Sequence, residues 1–233
     1  MAPTRSAFPE TLRFERKLLA PGLSLVEVLT IVRTHPGMFV QAFPDRQVNN
    51  LYLDSPGLRS FVDHVRGLAN RSKTRIRWYG PGAERAETPV LEEKIKAGSI
   101  GGKRAYTLPP LDLTAGLGIE RLRPVIEAAR LPDEVRARVD CLVPTLVNRY
   151  RRCYFRSADG ALRLTVDSEL GYGTPRAVAS AGAPLPGCGA AVILELKYAP
   201  EHSGRAADVT AALPFRIERF SKYVHGIEWI GPR

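Results

Sequence analysis

Several segments of the sequence carry rows of cationic side chains at the spacing of a β-strand. Alternate residues of a strand face the same side, so Lys73, Arg75 and Arg77 of the segment SKTRIRWYG share one face. Arginine offers a planar fork that matches phosphate oxygens, and lysine offers a compact point charge. These rows therefore predict binding of a phosphate-rich anion. Other strand-like segments place on their charged or polar faces Lys17, Lys94, Tyr150, Arg152 and Arg163.

Carboxylates lie on the same faces as the cations. One interpretation is internal ion pairing, which keeps a cationic interior from repelling itself. The other is a site for Mg²⁺ or Mn²⁺, because these ions bind one or two carboxylates together with substrate phosphates. We favour the metal role for Glu195 and ion pairing for Glu15, Glu92 and Asp167, of which Glu15 and Asp167 are secondary metal candidates.

The overall charge is consistent with a polyanionic partner. The 233 residues have a formal net charge of +10 and an isoelectric point near 9.8, which suits nucleic acid, a phosphate-rich ligand or an acidic membrane surface. A solvated basic surface without such a partner is the alternative. The fractions of hydrophobic residues (44%) and charged residues (25%) are those of a globular protein and exclude a disordered or fibrous chain.

We expect a cytoplasmic protein. No apolar run reaches the roughly 18 residues that a transmembrane helix needs, and the N-terminal residues lack the apolar centre of a signal peptide. Cys141, Cys153 and Cys188 show no CxxC spacing, which argues against a disulfide framework and a structural zinc site. The sequence predicts no transmembrane segment and identifies no membrane partner.

A glycine-rich segment, GSIGGKR from Gly98 to Arg104, resembles a phosphate-binding loop only superficially. The P-loop motif ending at Lys103 would need glycine at position 97 and serine or threonine at position 104, where the chain has Ala97 and Arg104. We therefore interpret GSIGG as a glycine-rich turn that delivers Lys103 and Arg104.

Three stretches are predicted to be helices that support these strands. They are Ser24 to Thr34, Leu58 to Ala69, and Gly118 to Val143 with a break at Pro132. Residues 79–89 are predicted to form a hairpin-type connection and residues 175–190 a loop between two strands. Neither segment marks a boundary, so we predict one domain over residues 1–233.

The repeated charged faces favour an α+β fold built on a closed antiparallel β-barrel with a charged lumen. The outward apolar faces would be covered by the helices; an open sheet with one wet face is the alternative. Repulsion in such a lumen would lower lysine pKa values until a polyanion binds. The predicted lumen residues are Lys17, Lys73, Arg75, Arg77, Lys94, Arg152, Arg163 and Lys222.

The order of the segments resembles the VTC domain, the polyphosphate polymerase module of the CYTH-like triphosphate tunnel superfamily. The resemblance spans about residues 12–228, and its two specific segments are KTRIRWYG and RFSKYVHG. The other segments keep the order of the family: RFERKLL, VNNLYLDSP, LEEKIKAG, NRYRRCYF, LRLTVDSEL and ILELKY.

The resemblance implies a role for each matching position. Glu195 matches the metal-binding glutamate, and Ser221 and Lys222 match the serine and lysine near the reacting phosphates. The expected catalytic group comprises Lys222, Arg75, Arg77 and Lys94. Expected phosphate-binding residues are Lys17, Lys73, Arg75, Arg77, Lys94, Lys103, Tyr150, Arg152, Arg163, Ser221 and Lys222.

The activity implied is metal-dependent transfer of the γ-phosphoryl group of ATP to a growing polyphosphate chain, with Mn²⁺ or Mg²⁺ as cofactor. A tunnel open at both ends would let the product thread out. One alternative is a hydrolase of inorganic, nucleoside or thiamine triphosphate in the same tunnel. Another is a non-catalytic module that binds polyphosphate or RNA. No specific nucleic-acid partner is expected, because few aromatic residues lie among the cations.

Overall fold

The computed structural model describes residues 14–81, 84–97, 100–114, 116–176, 185–187 and 192–231. Its main feature is a nine-stranded antiparallel sheet in the order β11-β1-β10-β9-β8-β2-β3-β5-β6. The strands are β1 (Phe14–Ala20), β2 (Val40–Asp54), β3 (Asn70–Tyr79), β5 (Val90–Ala97), β6 (Ile100–Thr107), β8 (Val143–Arg156), β9 (Leu162–Gly173), β10 (Val192–Tyr198) and β11 (Arg216–Ile217). Two short strands, β4 (Arg85–Ala86) and β7 (Leu111–Asp112), pair with each other.

The sheet curls so that strands distant in its order approach each other. Six positions separate β1 from β5, yet Glu15 Oε2 lies 3.7 Å from Lys94 Nζ. Shifts of register between β2 and β8 contribute to the bend, because a bulge increases the local twist of a strand. The side of the sheet that carries Glu15 and Lys94 is called the concave face below.

The backbone pairing of the described strands does not form the predicted closed barrel. The ladder has two edges, β11 and β6, and no described residues join them. The reason is the length of β11, whose two residues pair only with Leu18 and Leu19 of β1. Side chains, including the Glu15–Lys94 ion pair, cross the remaining gap. The α+β class with a large antiparallel sheet is confirmed.

Six α-helices in the described residues accompany the sheet: α1 (Leu25–Thr34), α2 (Arg59–Val65), α3 (Ile119–Ala128), α4 (Asp133–Asp140), α5 (Ser203–Ala211) and α6 (Lys222–Ile230). The first predicted helix is confirmed as α1, where Ser24 and Glu27 form a capping box. The predicted break at Pro132 is confirmed between α3 and α4. The second predicted helix ends four residues early, and α5 and α6 were not predicted.

Two apolar cores lie on the convex side of the sheet. One contains Val28 and Val32 of α1 and Val209 of α5 against β1, β8, β9 and β10. The other places Leu122 of α3 and Val135 of α4 against β2, β3 and β5. Burying one such side chain stabilises the fold by about 1.5–3 kcal/mol. These helices therefore cover the apolar faces of the charged strands, as predicted.

A third core lies on the concave face and differs from the prediction. Tyr223 and Ile227 of α6 pack there against Leu146, Tyr172 and Ile193 of the sheet. Gly226 permits this close approach, since a Cβ atom on it would lie 2.5 Å from Leu146 Cδ2. Helix α6 thus occupies one end of the concave face and leaves the other end to charged side chains.

The connecting segments agree in part with the sequence analysis. The predicted connection of residues 79–89 joins β3 to β5 and contains β4; residues 82–83 lie outside the described part of the chain. Of the predicted loop, only residues 175–176 and 185–187 are described, and Cys188 is not among them. Of the predicted turn, residues 98–99 lie outside the described part of the chain. The prediction was wrong for Ile100, Gly101 and Gly102, which belong to β6 together with Lys103 and Arg104.

None of the helices in the described ranges has the length and apolar character that crossing a membrane requires.

Candidate functional site

Strand pairing brings Arg75 and Glu92 directly opposite each other on the concave face. Arg75 Nη2 lies 2.6 Å from Glu92 Oε2, Arg77 Nε lies 3.7 Å from the same oxygen, and Lys103 pairs with the other carboxylate oxygen. Burial raises the pKa of Glu92, but the charges of Arg75, Arg77 and Lys103 outweigh burial and lower that pKa to about 2. Glu92 is therefore an ionised carboxylate, and its ion pairs keep Arg75, Arg77 and Lys103 close together.

Arg77 is oriented by a chain of buried amides. Its Nε donates to Asn50 Oδ1 at 3.0 Å, and Asn50 Nδ2 donates to Asn148 Oδ1 at 2.8 Å. Both asparagines are almost fully buried. Because a buried amide must be hydrogen-bonded, this chain fixes the guanidinium before any ligand arrives.

A second ionic centre surrounds Asp167, which is completely buried. Arg152 binds its two oxygens at 2.6 and 2.7 Å, and Lys222 Nζ lies 2.6 Å from Oδ2. Burial raises the pKa of Asp167, while Lys222 and Arg152 lower it further than burial raises it. The Lys222 ammonium also lies 4.8 Å from the centre of the Tyr150 ring, a cation–π distance.

A third centre contains two carboxylates, Glu15 and Glu195. Glu195 lies 2.8 Å from Lys197 and 3.7 Å from Arg152, while Glu15 lies 2.9 Å from Lys17. Burial raises the pKa of Glu195, but the charges of Lys197, Arg152 and Lys17 hold it well below its usual value. Lys197 Nζ also lies 4.0 Å from Glu15, so the two carboxyl groups adjoin the same point and are close enough to act on one bound cation.

Lys73 has a different environment from these paired cations. Its Nζ donates to Ser221 Oγ at 2.7 Å, and among the described residues no carboxylate lies within ion-pair distance. Burial, followed by the charges of Lys17 and Lys94, lowers the pKa of Lys73 to about 7. Ser221 is the N-cap of α6 and accepts from Val224 N. The ammonium of Lys73 therefore lies at the positive end of a helix, where an anion is favoured.

The concave face has an excess of positive charge. Around Lys73 and the three carboxylate centres, nine cationic side chains face four carboxylates, which is an excess of five positive charges when every group is ionised. The cations are Lys17, Lys73, Arg75, Arg77, Lys94, Lys103, Arg152, Lys197 and Lys222, and the carboxylates are Glu15, Glu92, Asp167 and Glu195. This excess disfavours the empty site and favours a polyanion in it.

Most residues nominated from the sequence meet in this cluster, including Tyr150 and Ser221. Arg163 does not: its side chain is exposed, and it lies opposite Lys197 and Arg156, further along the strands. Glu15, Glu92 and Asp167 form ion pairs, the role that was favoured for them.

The sequence analysis missed Lys197 and Thr165. Thr165 Oγ1 is buried and has no hydrogen-bond partner among the described residues, and its strand neighbour across the ladder is Glu195. Both residues share strand faces with nominated residues, since Lys197 follows Glu195 by two positions and Thr165 precedes Asp167 by two. The period of the strand was therefore a sufficient signal.

The donor set can be tested against a divalent metal. Mg²⁺ and Mn²⁺ bind one or two carboxylates and complete their coordination with water and substrate phosphates. Glu15 and Glu195 fit this requirement, because both lie within ion-pair distance of Lys197 Nζ at the edge of the cationic cluster. Asp167 fits less well, because Arg152 and Lys222 occupy its oxygens. Within the described ranges no group of three metal-binding side chains occurs.

Comparison with solved structures shows the same fold in a distant protein. A Vibrio parahaemolyticus protein described as a candidate adenylate cyclase aligns with a TM-score of 0.53 at 12% identity, covering 92% of this chain and 98% of that one. The PH1819 protein of Pyrococcus horikoshii OT3 aligns with a TM-score of 0.48 at 14% identity, covering 93% and 99%. A search of the curated proteins finds no significant match.

Comparison with known families agrees with the geometry of the site. The profile of the VTC domain matches residues 12–230, which includes every strand of the large sheet and all six helices. This chain therefore belongs to the VTC domain family.

Proposed function

We propose that this VTC domain is a metal-dependent polyphosphate polymerase that transfers the γ-phosphoryl group of ATP to the end of a polyphosphate chain. The observation that carries the proposal is the unbalanced cationic cluster on the concave face, with Lys73 left without a carboxylate at the N-terminus of α6. A chain of linked phosphoryl groups has the charge and the repeating oxygens that such a cluster would bind.

Phosphate binding is assigned to the cations around Glu92. Arg75, Arg77 and Lys103 share that one carboxylate, so each has hydrogen-bond donors left for a ligand. Each charge-assisted hydrogen bond to phosphate contributes roughly 1.5–3 kcal/mol. Lys17 and Lys94, which share Glu15, extend this surface along the face.

Positioning of the reacting groups is assigned to the start of α6. Lys73, Ser221 and Lys222 lie together there, and Lys222 is fixed by Asp167. In the transfer, the bond between the γ-phosphorus and the bridging oxygen of ATP breaks, a terminal oxygen of the acceptor chain bonds to that phosphorus, and ADP leaves. The cations stabilise the negative charge on the transferring oxygens.

Glu195 and Glu15 would hold Mn²⁺ or Mg²⁺ against the substrate phosphates. When bound, the metal supplies further neutralisation of the phosphate charge. Asp167 is assigned to the orientation of Arg152 and Lys222 instead, because both cations already bind it closely.

The test is incubation with ATP and Mn²⁺ followed by separation of the products on a gel. The wild-type chain is expected to give a ladder of polyphosphate, and Lys222→Ala is expected to abolish it. Asp167 keeps both hydrogen bonds from Arg152 in that variant, so the fold is retained. Arg85→Ala is the control, because Arg85 is exposed on β4 and pairs with Glu87 outside the large sheet. Release of orthophosphate without a ladder would reject polymerisation and favour the triphosphatase.

A further inference from the structure

An aromatic cluster lies beside the cationic cluster and takes no part in it. The Arg46 guanidinium lies 5.8 Å from the centre of the Tyr79 ring and 6.0 Å from that of Tyr154. Phe43 meets Tyr154 edge to face at 5.9 Å. Phe43 and Tyr79 are 58% and 47% exposed, so both rings are accessible to a ligand.

The register of the strands places this cluster on the concave face. Tyr79 pairs with Val48, which pairs in turn with Tyr150 on the same face. Arg46 pairs with Arg152, and Tyr154 follows Arg152 by two residues. The charges of Arg152 and Arg46 both act on the Tyr154 hydroxyl. The four side chains therefore adjoin the charged centre at the end opposite α6.

The backbone of β2 is irregular next to Phe43, which affects how the aromatic side chains are oriented. Shifts of register occur in β2 on both sides of Phe43, between Gln41 and Phe43 and between Phe43 and Arg46. Bulges of this kind re-aim side chains next to functional sites. Aromatic faces offer no hydrogen-bond donors to phosphate, so a ligand at this position has a planar, weakly polar part beyond its phosphate chain.

We propose that Phe43, Arg46, Tyr79 and Tyr154 form a stacking platform for the nucleobase of a nucleoside triphosphate whose phosphates lie on the cationic cluster. This deepens the proposed function and rests on it. Tyr79 follows Arg77 by two residues, about 7 Å along the strand, a span that a ribose can bridge between the α-phosphate and the base. The platform has rings and a guanidinium plane and no arrangement specific to one base, so it binds nucleotides with little discrimination among bases.

The experiment compares a ligand that has a base with one that lacks it. Equilibrium dissociation constants for ATP and inorganic tripolyphosphate are measured by calorimetry with chelator present, so that no turnover occurs. Tyr79→Ala is expected to weaken ATP binding by roughly 5- to 150-fold, the value of stacking one base, and to change tripolyphosphate binding less than twofold. Phe43→Ala, at the other exposed ring, is expected to act in the same direction.

Two controls separate stacking from other effects. Tyr79→Phe keeps the ring and is expected to keep the affinity for ATP. Phe14→Ala removes an exposed ring on the convex face and is expected to change neither ligand. Equal weakening of both ligands by Tyr79→Ala, or unchanged ATP binding in both alanine variants, would overturn the platform alone. Failure of the wild-type chain to bind either ligand would instead overturn the proposed function on which the platform rests.

Discussion

Lys73 differs from the other cations of the concave face in what surrounds its ammonium group. Arg75, Arg152 and Lys222 each lie within 2.7 Å of a carboxylate oxygen, whereas Lys73 has the Ser221 hydroxyl and neighbouring cations. The positive charge of Lys73 therefore lowers the stability of the ligand-free protein. Retention of a destabilising charge at this site is consistent with selection for ligand binding.

Lys73→Met is expected to abolish high-affinity binding of tripolyphosphate while leaving the empty protein at least as stable at pH 6. The reason is that the substitution removes a positive charge that has no carboxylate to balance it. Urea denaturation and calorimetry on the same samples measure the two effects. Arg152→Met is the contrasting variant: it leaves buried Asp167 with Lys222 alone and is expected to lower stability by about 3–5 kcal/mol.

Lys73→Met also tests how the free energy of unfolding depends on pH. The pKa of Lys73 is about 7 in the folded chain and near 10.5 when the chain is unfolded. Between these values the unfolded chain binds one more proton, so this group makes the free energy of unfolding rise with pH. The stability advantage of Lys73→Met is therefore expected to be largest below pH 7 and to shrink as pH rises above 7. A difference that stays constant from pH 6 to pH 9 would contradict the lowered pKa.

At this scale the sequence was sufficient to say which side chains share a face, because the period of a strand decides it. It was not sufficient to say which carboxylate pairs with which cation. Glu15 meets Lys94 only because the sheet curls, and no local pattern encodes that curvature. Arg163 has the right period, but its exposed side chain lies opposite Lys197 at the margin of the cluster and forms no ion pair with a described carboxylate.

Helix α6 links the site to the rest of the fold. Its first residues carry Ser221 and Lys222, and the Tyr223 hydroxyl donates to Asp54 at 2.5 Å. Asp54 also accepts from the backbone of Ser60 and Phe61 in α2. The position of the Ser221 and Lys222 side chains therefore depends on how α6 packs against the sheet.

Gly226→Ala tests this dependence. A Cβ atom there would lie 2.5 Å from Leu146 Cδ2 and 2.6 Å from Tyr172 Cδ1, so the helix must move. We expect a loss of about 1–3 kcal/mol in urea denaturation, the usual cost of overpacking, together with a loss of activity. Gly204→Ala in α5 is the matched control, because its Cβ would meet nothing within 4 Å, and it should stabilise by up to about 1 kcal/mol. Equal changes in the free energy of unfolding for the two substitutions would contradict close packing of α6 against Leu146 and Tyr172.

The sequence did not predict α6 as a helix because its apolar residues include aromatic side chains and a central glycine, which are weak helix formers. The tertiary contacts with Leu146 and Tyr172 decide its conformation. By contrast, α1 has a capping box and regular apolar spacing. The α3–α4 pair has regular apolar spacing and a break at Pro132, so the local sequence was sufficient for these helices.

On the scale of the whole molecule, the excess of five positive charges connects ligand binding to stability. A ligand that binds only the folded chain stabilises it by mass action. Polyphosphate ligands would both bind and remove the repulsion among the cations, whereas chloride only screens it.

Tripolyphosphate at a hundred times its dissociation constant is therefore expected to stabilise the chain by about 2.7 kcal/mol. For a chain of this size that corresponds to a rise in melting temperature of roughly 5–11 °C. Differential scanning fluorimetry measures the rise against sodium chloride at equal ionic strength, and Arg75→Ala is expected to reduce it. An equal rise with both salts would indicate screening of a dispersed basic surface.

The sequence predicted the α+β class, the charged face and the helices on the convex side. It did not predict that the ladder stays open, because the closing strand β11 has only two residues and no recognisable strand pattern. Strand pairing over so short a length depends on the shape of the finished sheet.

The packing of α6 on the concave face and the open edge of the sheet together constrain how the long product of the proposed reaction would leave. Because Tyr223 and Ile227 pack at one end of the concave face, the polymer made in the proposed reaction would not have the straight path of a pore open at both ends. Its remaining routes are the wide end and the side where β1 faces β5 and β6. That side is spanned by an ion pair whose lysine is 62% exposed, a contact worth at most about 1 kcal/mol, so lateral escape would meet little resistance.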